Sequence, residues 1–265
     1  MVSQPFLIVD HQPITLAQAL QYLQSSGKLE SFIGEILRQY VIEQELQNRD
    51  DLGISLALIE QAIIDFRLQN QLSDPQVFAQ WLAKNGKDYD TFHQQVTVGF
   101  KLEKLKDQVT QPKLPEHFIE RKLFLDRVIL SRIIVTEREL AEELGTQIEE
   151  GGSFEQLARE YSVTDDRIFN GMMGPISRGT LPDAIRTAVD AANPGDLVGP
   201  LEFAALGSQD VVGSKEQGYW GLFRVEQFLP ASLEDPQLKQ ALQNELFEQW
   251  LAQKIQTMTV KLQVD

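Results

Sequence analysis

Cysteine is absent from this 265-residue sequence, and histidine occurs three times only, at His11, His93 and His117. Without a thiol there are no disulfides, thiolate nucleophiles or cysteine-ligated zinc and iron–sulfur centres, which suits a reducing compartment. The histidines are far apart in sequence, so neither a histidine zinc site nor a Ser–His–Asp arrangement is signalled. Positive charge is scarce as well: 24 Lys and Arg stand against 39 Asp and Glu, a net charge of -15. Non-specific binding to nucleic acid or to an anionic membrane relies on the opposite sign. No run approaches the roughly 18 apolar residues of a membrane span. The opening MVSQPFLIVDHQP lacks the basic segment and long apolar stretch of a secretory signal. These absences lead to the expectation of a soluble, cytoplasmic protein with no membrane insertion and no nucleic-acid partner. A P-loop glycine pattern is missing too, and the glycines of GMMGPISRG at 171–179 lack the strand–helix context of a dinucleotide site.

Hydrophobic residues make up 42% of the chain, enough for a substantial core. At roughly 150 residues per domain, the length favours two domains. Residues 6–9 read as a strand followed by a turn. Thr15 can cap a helix, with Gln18 in the reciprocal position. Apolar residues at helical spacing then mark helices over 29–48 and 55–70, one that Ser73-Asp74-Pro75 starts and Asn85-Gly86 closes, and one over 88–109. Their Leu, Phe and Trp stripes read as core, and the frequent Gln as a neutral wet face. Gln111-Pro112-Lys113-Leu114-Pro115 marks a joint, with a short helix over 115–124.

The pattern then changes. RVILSRIIV at 127–135 is β-branched and reads as a strand, followed by helices over 137–150 and from Ser153. A loop over 162–179, a helix from Pro182, a short strand at Leu197-Val198 and a strand over 218–228 complete a small α/β unit. A helix over 233–256 follows. Met258, Val260, Leu262 and Val264 alternate with polar residues, as in a half-buried strand, and the 6–9 strand is its expected partner. The expected fold is α+β: a helical domain built from both termini, with an inserted domain of antiparallel sheet plus helices. Its segments are 1–125, 126–230 and 231–265.

Few residues stand out chemically. Asp165-Asp166 reads either as a metal or acid–base pair or, beside Arg167, as capping and loop solvation. Arg132 shares a strand face with Val128, Leu130 and Ile134. It either flanks a site or packs its stem with the head in solvent.

The order of FEQLAREYS at 154–162, NGMMGPISRGTLP at 170–182, NPGDLVGP at 193–200 and GYWGLFRV at 218–225 resembles the parvulin family of peptidyl-prolyl isomerases, over about 127–229. The surrounding helical module is similar to the arrangement in SurA-like and PrsA-like folding factors. The resemblance implies a pocket for a proline ring and a polar side that favours the twisted peptide bond. Rotation about that bond meets a barrier of about 18–20 kcal/mol, and no covalent step is needed. Onto this sequence it carries Arg132 and Thr164 as the catalytic positions, where the family has His and Cys or Asp. It carries Met173, Leu181, Ile185, Phe203 and Trp220 as substrate-binding positions. Leu181 and Ile185 replace the family's Met and Phe, and Trp220 its second His.

With both family histidines gone, the expectation is a folding factor or assembly chaperone that binds extended or proline-containing polypeptide, with isomerase activity weak or lost. The alternatives are an active isomerase with an atypical site and a partner dedicated to one client. No metal or organic cofactor is implied. Long amphipathic helices also pair with copies of themselves, so a homodimer is compatible with the pattern.

Overall fold

Asp10 and His11 both hold positive φ, 49° and 66°. A two-residue hairpin turn requires this, because its backbone twist then matches that of the strands it joins. They link β1 (Leu7–Val9) to β2 (Gln12–Ile14) in an antiparallel pair. The expectation that 6–9 pairs with 258–264 is thereby corrected. The nearest strand on the chain takes β1, and residues 257–262 form no strand. Val264 lies outside the described residues, which in this computed structural model are 5–203 and 218–262.

Two compact units emerge, one from Met1–Pro115 with Ala241–Asp265 and the other from Glu116–Gln240. In the first, Thr15 and Gln18 form the reciprocal cap of α1 (Leu16–Ser25). The helices α2 (Leu29–Asn48), α3 (Leu56–Gln69), α4 (Pro75–Lys84) and α5 (Tyr89–Thr110) follow. Asp74 accepts from the first amides of α4, where Pro75 needs no partner. Ile59, Ile63, Phe78, Leu82 and Phe92 form one core of this unit. Val41, Ile42 and Leu105 form a second core with Phe247 and Leu251 of α10 (Pro236–Gln256), the returning carboxy-terminal helix.

The second unit begins within α6 (Leu114–Leu125) and continues through β3 (Arg127–Val135), α7 (Arg138–Glu149) and α8 (Phe154–Tyr161). Next come β4 (Met172–Ser177), α9 (Asp183–Asp190), β5 (Leu197–Phe203) and β6 (Tyr219–Leu229). The sheet is antiparallel throughout, in the order β4-β3-β6-β5. One face packs on α9 and the other on α7 and α8.

Asp126 ties this unit together at the foot of β3. Its carboxylate accepts from Lys122 on α6, from the Ala231 amide at 2.8 Å and from Arg178 at 3.3 Å. Burial pushes this carboxyl up, but the Lys122 bond, the Ala231 amide and the two cations carry it below the usual range. Because α6 and the chain beyond β6 are anchored there, the unit boundaries fall at 115/116 and 240/241, outside the expected 125/126 and 230/231.

Two local expectations change. The 162–179 loop contains β4 and a 3-10 turn at Asp165–Phe169, and β5 extends well beyond Leu197-Val198. Short strands interrupted by glycines show little periodicity, and their pairing partners supply the missing order.

Candidate functional site

Alternation along β3 sends Val128, Leu130 and Ile134 into the α9-side core, while Ile133 and Val135 enter the opposite one. Arg132 belongs to the first set, directly across from Phe223 on β6. It is only 7% exposed. A guanidinium so deep needs a counter-charge, and Asp166 provides it: Arg132 Nε donates to Asp166 Oδ2 at 2.6 Å.

A hydroxyl chain reaches the same carboxylate. Thr164 Oγ1 donates to Asp166 Oδ1 at 2.5 Å, and Ser162 Oγ lies 2.9 Å from Thr164 Oγ1. An ionised carboxylate only accepts. The Thr164 proton is therefore committed to Asp166, and Ser162 donates to Thr164. Ser162 in turn accepts the Ile134 amide at 3.1 Å.

Backbone bonds fix the frame. The Arg132 amide donates to the Gly171 carbonyl at 2.8 Å, and the Gly171 amide to the Asp166 carbonyl at 2.9 Å. The Val163 amide donates to the Ile134 carbonyl at 2.8 Å. Gly171 sits at φ +78°, and a Cβ there would lie 2.2 Å from the Arg132 carbonyl oxygen. Only glycine fits this close approach.

Arg132 and Thr164 are thus brought together, and their shared partner is Asp166. The solvated-head reading of Arg132 is corrected, since its head is paired inside the fold. The metal reading of Asp165-Asp166 is replaced likewise: Asp166 is an ion-pair partner and Asp165 is exposed. Among the described residues no cluster of His, Asp and Glu could hold a metal ion. An arginine does not release a proton near neutral pH, so what Arg132 offers in this assembly is hydrogen-bond donation.

Leu181 and Ile185 also meet, but as core. They are 8% and 1% exposed and pack with Val128, Leu130, Val189, Val198, Tyr219 and Phe223, with Met173 partly buried against them.

Trp220 is a correction. Strand alternation turns it to the opposite sheet face, against the Ile133–Leu222 core, where the Arg138 guanidinium stacks over its ring at 5.2 Å. Tyr219 occupies the α9 side in its place. Phe203 ends β5 opposite Tyr219, and its side chain lies outside the described residues.

Sequence reasoning missed Phe223 and Tyr219 as neighbours of Arg132 and Leu181. Reading period two through GYWGLFRV would have separated Tyr219, Phe223 and Val225 from Trp220 and Leu222.

On the far face, Arg224 bridges Glu155 at 2.7 Å and Glu226 at 2.9 Å, and Ser131 also donates to Glu226. The Arg224 bond, the amide of Glu155 itself and Ser153 hold the Glu155 carboxyl at about 2.

Residues 134–211 match the family model for the PPIC-type PPIASE (rotamase) domain. No curated protein matches the chain. Among solved structures, the chain is similar to the peptidylprolyl isomerase PrsA of Bacillus cereus, at 17% identity and a TM-score of 0.42, covering 99% of this chain and 95% of that one. It is also similar to the foldase protein PrsA of Lactococcus lactis, at 11% identity and a TM-score of 0.39, covering 93% and 86%. A third similar structure comes from work on PEB4 and the periplasmic protein Cj1289, described as SurA-like chaperones of Campylobacter jejuni. There the identity is 14% and the TM-score 0.32, with coverage of 98% and 100%. The cytoplasmic expectation is not sustained: the similar folding-factor structures include one whose description names a periplasmic protein. That expectation rests on absences, of cysteine, of a long apolar run and of a basic apolar opening segment, and an absence does not fix a location.

Proposed function

We propose that this chain, with its PpiC-type rotamase domain in a PrsA/SurA-like folding-factor architecture, binds extended or proline-containing client polypeptides while its isomerase activity is weak or lost. One observation carries the reading. At the position where the resemblance expects a histidine, a buried arginine is tied to Asp166 at 2.6 Å, and the neighbouring Thr164 proton is spent on the same carboxylate. Catalysis of X-Pro rotation needs donors aimed at the twisted carbonyl and an apolar grip on the ring. Here the Arg132 charge is neutralised in place, and Leu181 and Ile185 are sealed into the core. The helical unit supports the binding half of the proposal, because isomerisation at the rotamase domain makes no demand on it.

The test is exchange NMR on a panel of X-Pro peptides that differ in the residue before proline. The expected result is peptide binding without faster cis/trans exchange. Acceleration across the panel would instead establish an active isomerase with a rebuilt site. A pull-down that recovers one dominant polypeptide would narrow the client range to a dedicated partner.

A further inference from the structure

Helix α2 carries an apolar stripe that its own unit leaves open. Phe32, Ile36 and Tyr40 recur every four residues, so they share one face, and they are 39%, 52% and 51% exposed. Beside this stripe runs the chain that follows α10. Met258, Thr259, Val260 and Lys261 line a groove of about 540 Å³ together with Ile36, Leu37 and Tyr40. Val260 and Leu262 are 50% and 57% exposed.

Residues 259–262 belong to no helix or strand, and among the described residues their backbone groups make no backbone hydrogen bond. Their apolar–polar alternation is nonetheless that of a strand. The groove therefore pairs an apolar floor with a segment that, among the described residues, makes no backbone hydrogen bond. Its margin is acidic: Glu35 and Glu43 line a hollow continuous with it through Ile36 and Tyr40. Lys261 is the single basic residue lining either hollow.

We propose that this groove takes an extended polypeptide segment in which apolar residues alternate with Lys or Arg, added as a strand along residues 259–262. Strand addition satisfies the backbone of both partners, and side chains then fall alternately to the two sides. Apolar side chains enter between α2 and the tail, and basic ones meet the Glu35 and Glu43 margin. The inference rests on the folding-factor reading and adds to it a location and a client chemistry.

The experiment titrates the full chain into a fluorescein-labelled peptide of alternating Val and Lys, with a Val and Glu counterpart, and reads anisotropy. The Val–Lys peptide should bind, roughly tenfold more tightly than the Val–Glu one, and more weakly as salt rises. Ile36→Asp should weaken it by about tenfold. Val260→Pro, which removes a strand donor at an exposed position, should weaken it severalfold. Ile64→Asp, at a site 47% exposed on another helix, should leave it unchanged. Circular dichroism checks that each variant folds, and the tail variant keeps the test open if the helix variant does not.

Equal binding of both peptides, or indifference to Ile36→Asp and Val260→Pro, overturns the inference. So does a dimer in sedimentation that Ile36→Asp dissociates, since a second copy would then fill the groove. Carboxymethylated lactalbumin, a permanently unfolded client, separates the two levels. If wild type and variants hold it equally, the folding-factor reading stands and this inference falls. If wild type does not hold it at all, that reading itself falls.

Discussion

Arg132 and Asp166 lie 34 residues apart in the chain and meet at 2.6 Å, with side chains only 8% and 16% exposed. The pair joins the middle of β3 to the 3-10 turn behind α8. It converts a charge that would be intolerable in the α9-side core into a structural link.

Removing the acid should be the more damaging change. Asp166→Ala strands a buried guanidinium and frees the Thr164 hydroxyl, and should cost about 3 kcal/mol of unfolding free energy. Arg132→Leu should cost less, because Asp166 is nearer to solvent and keeps Thr164. Urea unfolding of the two single variants and the double variant checks this. Additive losses would mean that the two residues are uncoupled.

Introducing the histidines that the resemblance expects should not raise isomerase activity. In Arg132→His with Trp220→His, the second imidazole replaces a side chain on the other sheet face, where the ring now stacks with Arg138. Leu181 and Ile185 stay buried. X-Pro exchange rates should match wild type, and a severalfold gain would show that the cradle opens in solution.

Gly171 and Gly174 offer a matched contrast. Both hold positive φ, +78° and +73°, but a Cβ at Gly174 meets nothing within 4 Å while one at Gly171 meets the Arg132 carbonyl at 2.2 Å. Gly174→Ala should cost about 1 kcal/mol for the backbone conformation alone. Gly171→Ala must also push β3 and the turn apart, and should lower the melting temperature much further. Equal shifts would show that the turn yields without resistance.

Acid should weaken the rotamase unit through Glu155. Its folded-state carboxyl sits at about 2, against 4.5 as its ordinary value. A lowered pKa means the stabilisation is complete above about 4.5 and is lost as pH falls from there towards 2. Asp126 acts in the same direction. Glu155→Gln should be less stable than wild type at neutral pH and show a flatter stability profile through that acid window. Because the Glu155 side chain is 43% exposed, salt should shrink the difference. A profile unchanged by the substitution would assign the acid sensitivity elsewhere.

The local elements were legible because their causes are local. Thr15 with Gln18, Asp74 before Pro75 and the turn glycines mark helix ends through bonds made within a few residues. The β-branched run at 127–135 could be read as a strand without knowledge of its neighbours. Nothing in the sequence, by contrast, told whether the 6–9 strand would take the 258–264 segment or its own hairpin partner, since alternation specifies a face and not an edge.

For the site, the sequence by itself determined which residues stand at the family positions: Arg132, Thr164, Met173, Leu181, Ile185 and Trp220. It also determined the acidic balance and the absence of thiols. Only the tertiary structure decided that Asp166 claims Arg132, that Leu181 and Ile185 are core, and that Trp220 faces away from them. The physical reason is that burial and charge pairing depend on which distant segments share a sheet face. That is settled when β3 pairs with β6 and the 162–171 turn folds back onto β3.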